Sequence, residues 1–331
     1  MPNQLLAGEQ HAGSEAIMRD YGDLRGEYDA LREGAGLIDL AHFGVLRVQG
    51  RDRAAWLHKL TTANIEPLEA GRGAYGMLLN ATGHVVADFV VLAQADALLL
   101  YTSWSAKDKL AANLHRAIFR EKVVIKDMSG SLALVSLQGP QAQTTGMFPA
   151  LDPLQSAEID GTLVVRYSRA GSDGLDLLVP RERVVTLWDA LIARGARPVG
   201  LDALNVARVE AGIAWYGDDF DETMLAPEAR LEPFIAENKG CYTGQEVIAR
   251  IKNRGHVNRL LTHFEIEGDT VPARGDRVFD GEREVGWLTS AVWSFARNSP
   301  LALGYLRREK AEGGTRVQIA HGESRIMAVV V

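Results

Sequence analysis

Apolar residues alternate with polar ones over several short stretches of the chain and recur at helical spacing over others. Val45–Val48 has strand character and ends at Gly50, and Asp52–Leu60 then places Trp56, Leu57 and Leu60 on one helical face. Met77–Leu79 and Val85–Leu92 flank Asn80-Ala81-Thr82-Gly83, the pattern of a hairpin with turn residues at its centre. Ala97–Thr102 is a further strand. Ser105 can cap a helix running to about Phe119, with Leu110, Leu114 and Ala117/Ile118 on its apolar side. Val123–Lys126 and Leu132–Leu137 read as strands around Ser129-Gly130. Leu163–Tyr167 and Leu175–Val179 are placed to pair across Gly171–Gly174, and helices over Arg183–Arg194 and Leu201–Ala211 stop at Gly195 and Gly212.

After about His256 the texture changes. Leu260–Ile266, Arg277–Phe279, Glu284–Ser290, Leu301–Tyr305, Arg316–Ile319 and Arg325–Val331 are short alternating segments separated by Gly, Asp and Pro. That predicts a small all-β barrel or sandwich and sets a domain boundary near residues 255–260.

Composition narrows the class. The 331 residues are 47% hydrophobic and 24% charged, a globular balance with length for two or three domains. The lone Cys241 cannot form an internal disulfide or build a four-cysteine zinc or iron–sulfur site, which points to a reducing compartment. No stretch approaches the roughly 20 apolar residues that cross a bilayer. The start, MPNQLLAGEQHAGSEAIMRD, has no basic leader followed by an apolar core, so a cytoplasmic protein without membrane attachment is expected. A net charge of −7 argues against broad nucleic-acid binding.

Gly71-Arg72-Gly73-Ala74-Tyr75-Gly76 has the spacing of a dinucleotide-binding turn. It is preceded by Pro67 and Glu69 rather than a buried strand and followed by a strand rather than a helix, so it reads as a glycine-rich turn. The eight histidines are scattered singly. Asn238-Lys239-Gly240-Cys241-Tyr242-Thr243-Gly244-Gln245-Glu246 carries more information. A cysteine between glycines has room to be exposed, Lys239 can stabilise a thiolate, and a helix beginning at Gln245 favours an anion just before it. Arg250, Lys252, Arg254, His256 and Arg259 follow with no acid among them, a solvated basic face or an anion site.

Lys239-Gly240-Cys241-Tyr242-Thr243-Gly244-Gln245-Glu246 resembles the signature of the YgfZ family of folate-binding proteins. Further blocks resemble the wider superfamily of the glycine-cleavage T-protein, an aminomethyltransferase. These are Gly36-Leu37-Ile38-Asp39-Leu40, Tyr75 to Asn80 through Gly83 to Asp88, Leu137-Gln138-Gly139-Pro140-Gln141-Ala142, Arg197-Pro198-Val199-Gly200, Arg208-Val209-Glu210-Ala211-Gly212 and Tyr216-Gly217-Asp218-Asp219. The resemblance runs from about residue 25 to the end and implies an α+β fold. Its three subdomains form a ring around a channel holding tetrahydrofolate. Two intertwined units lie within residues 1–255, and a C-terminal β-barrel covers residues 256–331.

The resemblance also implies roles. Asp88 keeps one acid where the T-protein has two aspartates, and would orient or exchange protons with the folate. Glu210 could hold the pterin edge, since a carboxylate accepts two parallel N–H bonds. Tyr75, Asn80, Arg208 and Arg250 are further expected folate contacts, and Cys241 with Lys239 the expected reactive pair. The T-protein's threonine-glycine-glutamate turn is replaced here by the shorter Ser168–Gly174, without the glutamate. Three functions follow. The first is a tetrahydrofolate-binding accessory factor supporting iron–sulfur cluster assembly or repair, with assembly proteins or client enzymes as partners. The second is a folate-dependent aminomethyltransferase or methyltransferase. The third is a folate-linked factor in tRNA modification that uses the basic segment.

Overall fold

A computed structural model of the protein describes residues 17–331; residues 1–16, which hold most of the start read above for a leader, lie outside the described residues. In chain order the elements are α1 (Leu24–Glu33), β1 (Gly36–Asp39), β2 (Gly44–Gln49), α2 (Arg53–Leu60), β3 (Gly73–Leu79), β4 (Val85–Ala93), β5 (Ala97–Thr102), α3 (Trp104–Arg116), β6 (Val124–Asp127), β7 (Leu132–Gln138), β8 (Ser156–Ile159), β9 (Thr162–Arg166) and β10 (Gly174–Pro180). There follow α4 (Val184–Ile192), β11 (Arg197–Pro198), α5 (Leu201–Glu210), α6 (Gln245–Arg254), β12 (Arg259–Ile266), β13 (Arg277–Asp280), β14 (Arg283–Ser294), β15 (Ser299–Arg307), β16 (Arg316–His321) and β17 (Ser324–Val330). They fall into two compact units interleaved in sequence. The first holds the described residues up to 58, then 63–76 and 88–204; the second holds 59–62, 77–87 and 205–331.

In the first unit a six-stranded sheet runs in the order β11-β1-β7-β10-β9-β8. Its apolar face is Leu37, Val135, Leu137, Val164, Leu175 and Leu177, and Leu187, Trp188 and Leu191 of α4 complete the core. The spacing Val184, Leu187, Trp188, Leu191 is that of one helical stripe, so the helix form follows from the face it has to bury. A second sheet runs β3-β4-β5-β2-β6. β6 and β7, which flank Ser129-Gly130, do not pair: β6 adds to β2, while β7 lies between β1 and β10. Ser129 turns the chain from one sheet to the other, its hydroxyl accepting from the Val45 amide at 3.0 Å.

α3 is capped at Ser103, not Ser105, and ends at Arg116 rather than near Phe119. The early end has a local cause. The Glu121 carboxylate accepts from the amides of Phe119 and Arg120 at 2.9 and 3.0 Å, and the Trp56 indole donates to the Ala117 carbonyl at 3.0 Å. These bonds satisfy backbone groups in a turn and compete with another helical turn. Gly71 of the glycine-rich turn takes a left-handed φ of +86° and leads into β3.

In the second unit β12-β15-β14-β13-β16-β17 close into a barrel. The alternating positions supply its interior: Phe264, Ile266, Val278, Val285, Leu288, Ala302, Leu306, Val317, Ile319, Ala328 and Val330. The ladder of β14 and β15 shifts register between Leu288 and Ser290, a bulge on β14. Among the described residues no helix is long and apolar enough to cross a membrane.

Candidate functional site

Asp88 sits on β4, one residue into the first unit. The β4–β5 register pairs Val90 with Tyr101, so Asp88, Val90 and Tyr101 share one face of the sheet. Tyr75 of β3 donates its hydroxyl to Asp88 Oδ2 at 2.8 Å. Burial raises the Asp88 carboxyl above the usual aspartate value, while the Tyr75 hydrogen bond and the charge of Arg169 pull the other way. Burial, then the Asp88 charge, raises the Tyr75 phenol well above its ordinary value, so it stays a neutral donor. Among the described residues no side chain other than Tyr75 donates to the Asp88 carboxylate, which leaves Oδ1 for a ligand donor.

Behind this acid lies a buried ion pair. Arg169 belongs to Ser168–Gly174, the segment where the T-protein's glutamate is missing. Its Nε donates to Asp176 Oδ1 and Oδ2 at 2.9 and 3.1 Å, and a second nitrogen donates to Oδ2 at 2.7 Å. Asp176, on β10, is fully buried and also accepts from the Ser136 hydroxyl at 2.7 Å. Gln138 accepts from the Arg169 amide at 2.7 Å and donates to the Tyr167 carbonyl at 3.0 Å, which fixes the backbone of the segment. The guanidinium lies 4.7 Å from the Phe43 ring centre and 5.1 Å from that of Tyr167. Burial alone would push Arg169 down; Asp176 more than compensates, so the cation is held firmly. His42, beside Phe43, is driven down to about 4 by burial and then by the Arg169 charge, and is neutral at pH 7. Burial raises the phenol of Tyr167. The first unit thus offers one carboxylate, neutral phenols and a fixed aromatic–guanidinium stack. Such a set can hold a flat polar heterocycle and exchange a proton with it.

The other expected residues fall in the second unit. Arg208 is 1% exposed and spent on structure. It pairs with Asp219 and donates to Asn205 Oδ1 at 2.8 Å, the Ile213 carbonyl at 3.1 Å and the Ser290 hydroxyl at 2.7 Å. Glu210 Oε1 accepts from the Ser294 hydroxyl at 2.6 Å and the Ala296 amide at 3.2 Å, anchoring the end of α5 to the barrel. Asn80 serves its turn, with Oδ1 accepting from the amides of Thr82 and His84 at 2.9 and 3.0 Å. Arg250 is exposed on α6. Lys252 pairs with Glu237, and Arg259 donates to Glu228 at 2.9 Å, so acids from outside the basic segment neutralise part of it.

Cys241 is exposed in the loop before α6. Lys239 donates to the Thr61 carbonyl at 2.5 Å and lies 5.3 Å from the centre of the Tyr242 ring. Burial lowers its ammonium to about 8. Gly244, at the helix start, has φ +82°, and a Cβ there would meet the Asn80 carbonyl oxygen at 2.5 Å. Glycine therefore lets the cysteine loop lie directly on the β3–β4 turn. Among the described residues, no three of His, Cys, Asp and Glu gather as a metal site.

Residues 17–239 match the GCVT N-terminal domain, and residues 259–331 match the glycine cleavage T-protein C-terminal barrel domain. The chain belongs to the glycine-cleavage T-protein superfamily. The aminomethyltransferase of Thermosynechococcus vestitus is 30% identical, over 94% of this chain and 87% of its own. That of Aquifex aeolicus is 30% identical, over 92% and 85%. The crystal structure of glycine cleavage system aminomethyltransferase T from Bartonella henselae superposes with a TM-score of 0.89 at 23% identity, covering 95% of this chain and 90% of that one, so the fold is shared. Aminomethyltransferases of the family use tetrahydrofolate as the one-carbon acceptor.

Arg169, Asp176 and Tyr167 were not among the residues expected from sequence. Asp176 was findable in principle, as the one charged residue in the otherwise apolar strand β10, and Arg169 as an opposite charge seven residues before it.

Proposed function

We propose that this protein binds a reduced folate against the Asp88 cluster and supports one-carbon transfer there, in the manner of a folate-dependent aminomethyltransferase. The observation that carries the reading is Asp88. It is a carboxylate raised by burial, held on one oxygen by Tyr75 and open on the other. An acid so placed orients an N–H of the ligand when ionised and supplies a proton when neutral. Tyr75 fixes its direction, and Arg169, locked by Asp176, keeps the Tyr167 ring in place. The naming of the relatives as aminomethyltransferases supports the same reading.

A second reading rests on a different observation. Cys241 is exposed on a loop seated by Gly244, the arrangement expected of a thiol that meets a partner. It favours an accessory role in iron–sulfur cluster assembly or repair, with the thiol acting on a cluster, a persulfide or a partner's thiol.

Calorimetric titration with tetrahydrofolate and its 5-formyl form, on wild type, Asp88→Asn and Cys241→Ala, tests folate binding. A methylene-transfer assay then separates the two readings. Turnover that falls strongly in Asp88→Asn and survives in Cys241→Ala supports the transferase. Binding without turnover, together with lost iron–sulfur enzyme activity in a deletion strain complemented by Cys241→Ala, supports the accessory role. No affinity for either folate ends both.

A further inference from the structure

The turn between α3 and β6 presents Phe119 at 84% exposure and, at the start of β6, Val124 at 65%. No other large apolar side chain of the described residues exceeds 50%. This exposure is held in place. The Phe119 and Arg120 amides are fixed by Glu121, the Lys122 amide donates to Asp52 Oδ2 at 2.7 Å, and Trp56 ties down Ala117. Gly50, with φ +110°, lies so close to the Lys122 carbonyl that no side chain fits between them. A fixed turn that points an aromatic ring at water leaves apolar surface for a partner to cover.

Two further features say which partner. β6 is the last strand of its sheet, with β2 on one side only. The Met128 amide donates to the Val45 carbonyl across this pair. The alternation of an antiparallel ladder then turns the N–H groups of Ile125 and Asp127 to the open edge. Around the edge Arg116, Arg120, Lys122 and Lys126 are exposed and form no ion pair among the described residues. The nearby acids are engaged: Glu121 by its own turn, Asp52 by the Lys122 amide, and Asp127 by Lys107 at 2.9 Å. A chain of net charge −7 thus carries a locally cationic edge. Like charges disfavour a second copy of the same edge. A nucleic acid could use the cations but cannot pair with the open backbone.

We propose that β6 is a docking edge for an extended acidic segment of a partner protein. The segment adds as a strand, sets an apolar side chain against Phe119 and Val124, and places its carboxylates among the four cations. The probe is a fluorescein-labelled peptide, Glu-Glu-Val-Phe-Val-Glu-Glu, titrated into the full chain by fluorescence polarisation in low salt. It is compared with a peptide carrying Lys for Glu and with a single-stranded RNA oligomer. The acidic peptide should bind. Arg120→Glu with Lys122→Glu should weaken it at least tenfold, and so should Phe119→Ala with Val124→Asp, with melting of both variants within a few degrees of wild type. Hydrogen exchange read by NMR should slow at the Ile125 and Asp127 amides of wild type when the peptide is present. The proposal is overturned by no binding at millimolar peptide, by binding that ignores charge reversal, by unchanged exchange at those two amides, or by tighter binding of the RNA.

Discussion

Removing one partner of the Arg169–Asp176 pair should be far more damaging than removing both. Asp176 is fully buried and Arg169 is 8% exposed, and three N–H···O contacts of 2.7–3.1 Å join them. Asp176→Ala leaves a buried guanidinium stacked on the Phe43 and Tyr167 rings without its carboxylate, and leaves the Ser136 hydroxyl, which accepts from Gln138 at 2.9 Å, without its acceptor. An uncompensated buried charge of this kind costs about 3–5 kcal/mol. At ~2–4 °C per kcal/mol for a unit of this size, the midpoint should fall by roughly 6–20 °C. Arg169→Met should cost a similar amount, because the buried Asp176 then keeps the Ser136 hydroxyl but loses its cation. The double variant Arg169→Met/Asp176→Leu fills the same space with apolar atoms and should lose no more than about 2 kcal/mol, so the cycle gives a large coupling energy. Urea unfolding at pH 7 of wild type, both singles and the double measures all four corners. Single variants within about 1 kcal/mol of wild type, or a double that equals their sum, would refute the account of the pair.

Three further outcomes are expected. Asp88→Asn should stabilise the protein near neutral pH and lose that advantage in acid: the folded carboxyl titrates above the unfolded value, so Asp88 costs stability as pH rises through its raised folded pKa, and thermal melts of wild type and variant between pH 4 and 8 should converge at the low end. His42 acts with the opposite sign. Held neutral down to about 4 against an ordinary 6.5, it contributes stability that is present above pH 6.5 and lost as pH falls toward 4, up to about 3 kcal/mol, and His42→Phe should flatten that part of the profile. Cys241→Ser should melt within about 1 °C of wild type while abolishing labelling by a thiol reagent on native protein; a thiol that labels only after unfolding would place Cys241 in a packed site instead.

Much of the second unit was legible because alternation and burial coincide there. Each of the six C-terminal segments with period-two patterning became a barrel strand, and Leu260 to Ile266 and Arg316 to Ile319 read almost residue for residue. The open cysteine loop was legible from its two glycines. The interior of the first unit was not. Ser129-Gly130 looks like a hairpin turn, yet it hands the chain from one sheet to another, because the partner of each strand is chosen by apolar faces distant in sequence. Arg208 was expected as a folate contact from the block it shares with the T-protein; Asp219, Ser290 and the Ile213 carbonyl, met only after folding, engage it. The Asp88 cluster was half legible: the acid stood out, whereas the arginine behind it depends on strand pairing that no local pattern specifies.

The bulge on β14 sets a limit on length variation in the barrel. Neighbouring residues of a regular strand face opposite ways, yet Thr289 and Ser290 both donate to Asp219 Oδ1, at 2.6 and 2.7 Å. The extra residue is what turns two successive hydroxyls toward one carboxylate. Deleting a single residue at Leu288–Ser290 would restore a uniform ladder and withdraw one of those donors from the buried Arg208–Asp219 pair. The hairpin of β16 and β17 is held at its base, where His321 Nδ1 meets Asp276 Oδ2 at 2.7 Å, but its tip at Gly322-Glu323 is exposed and can gain or lose residues. Insertions in this barrel are therefore tolerated at that tip and refused at the bulge, although both lie on strands of the same closed sheet.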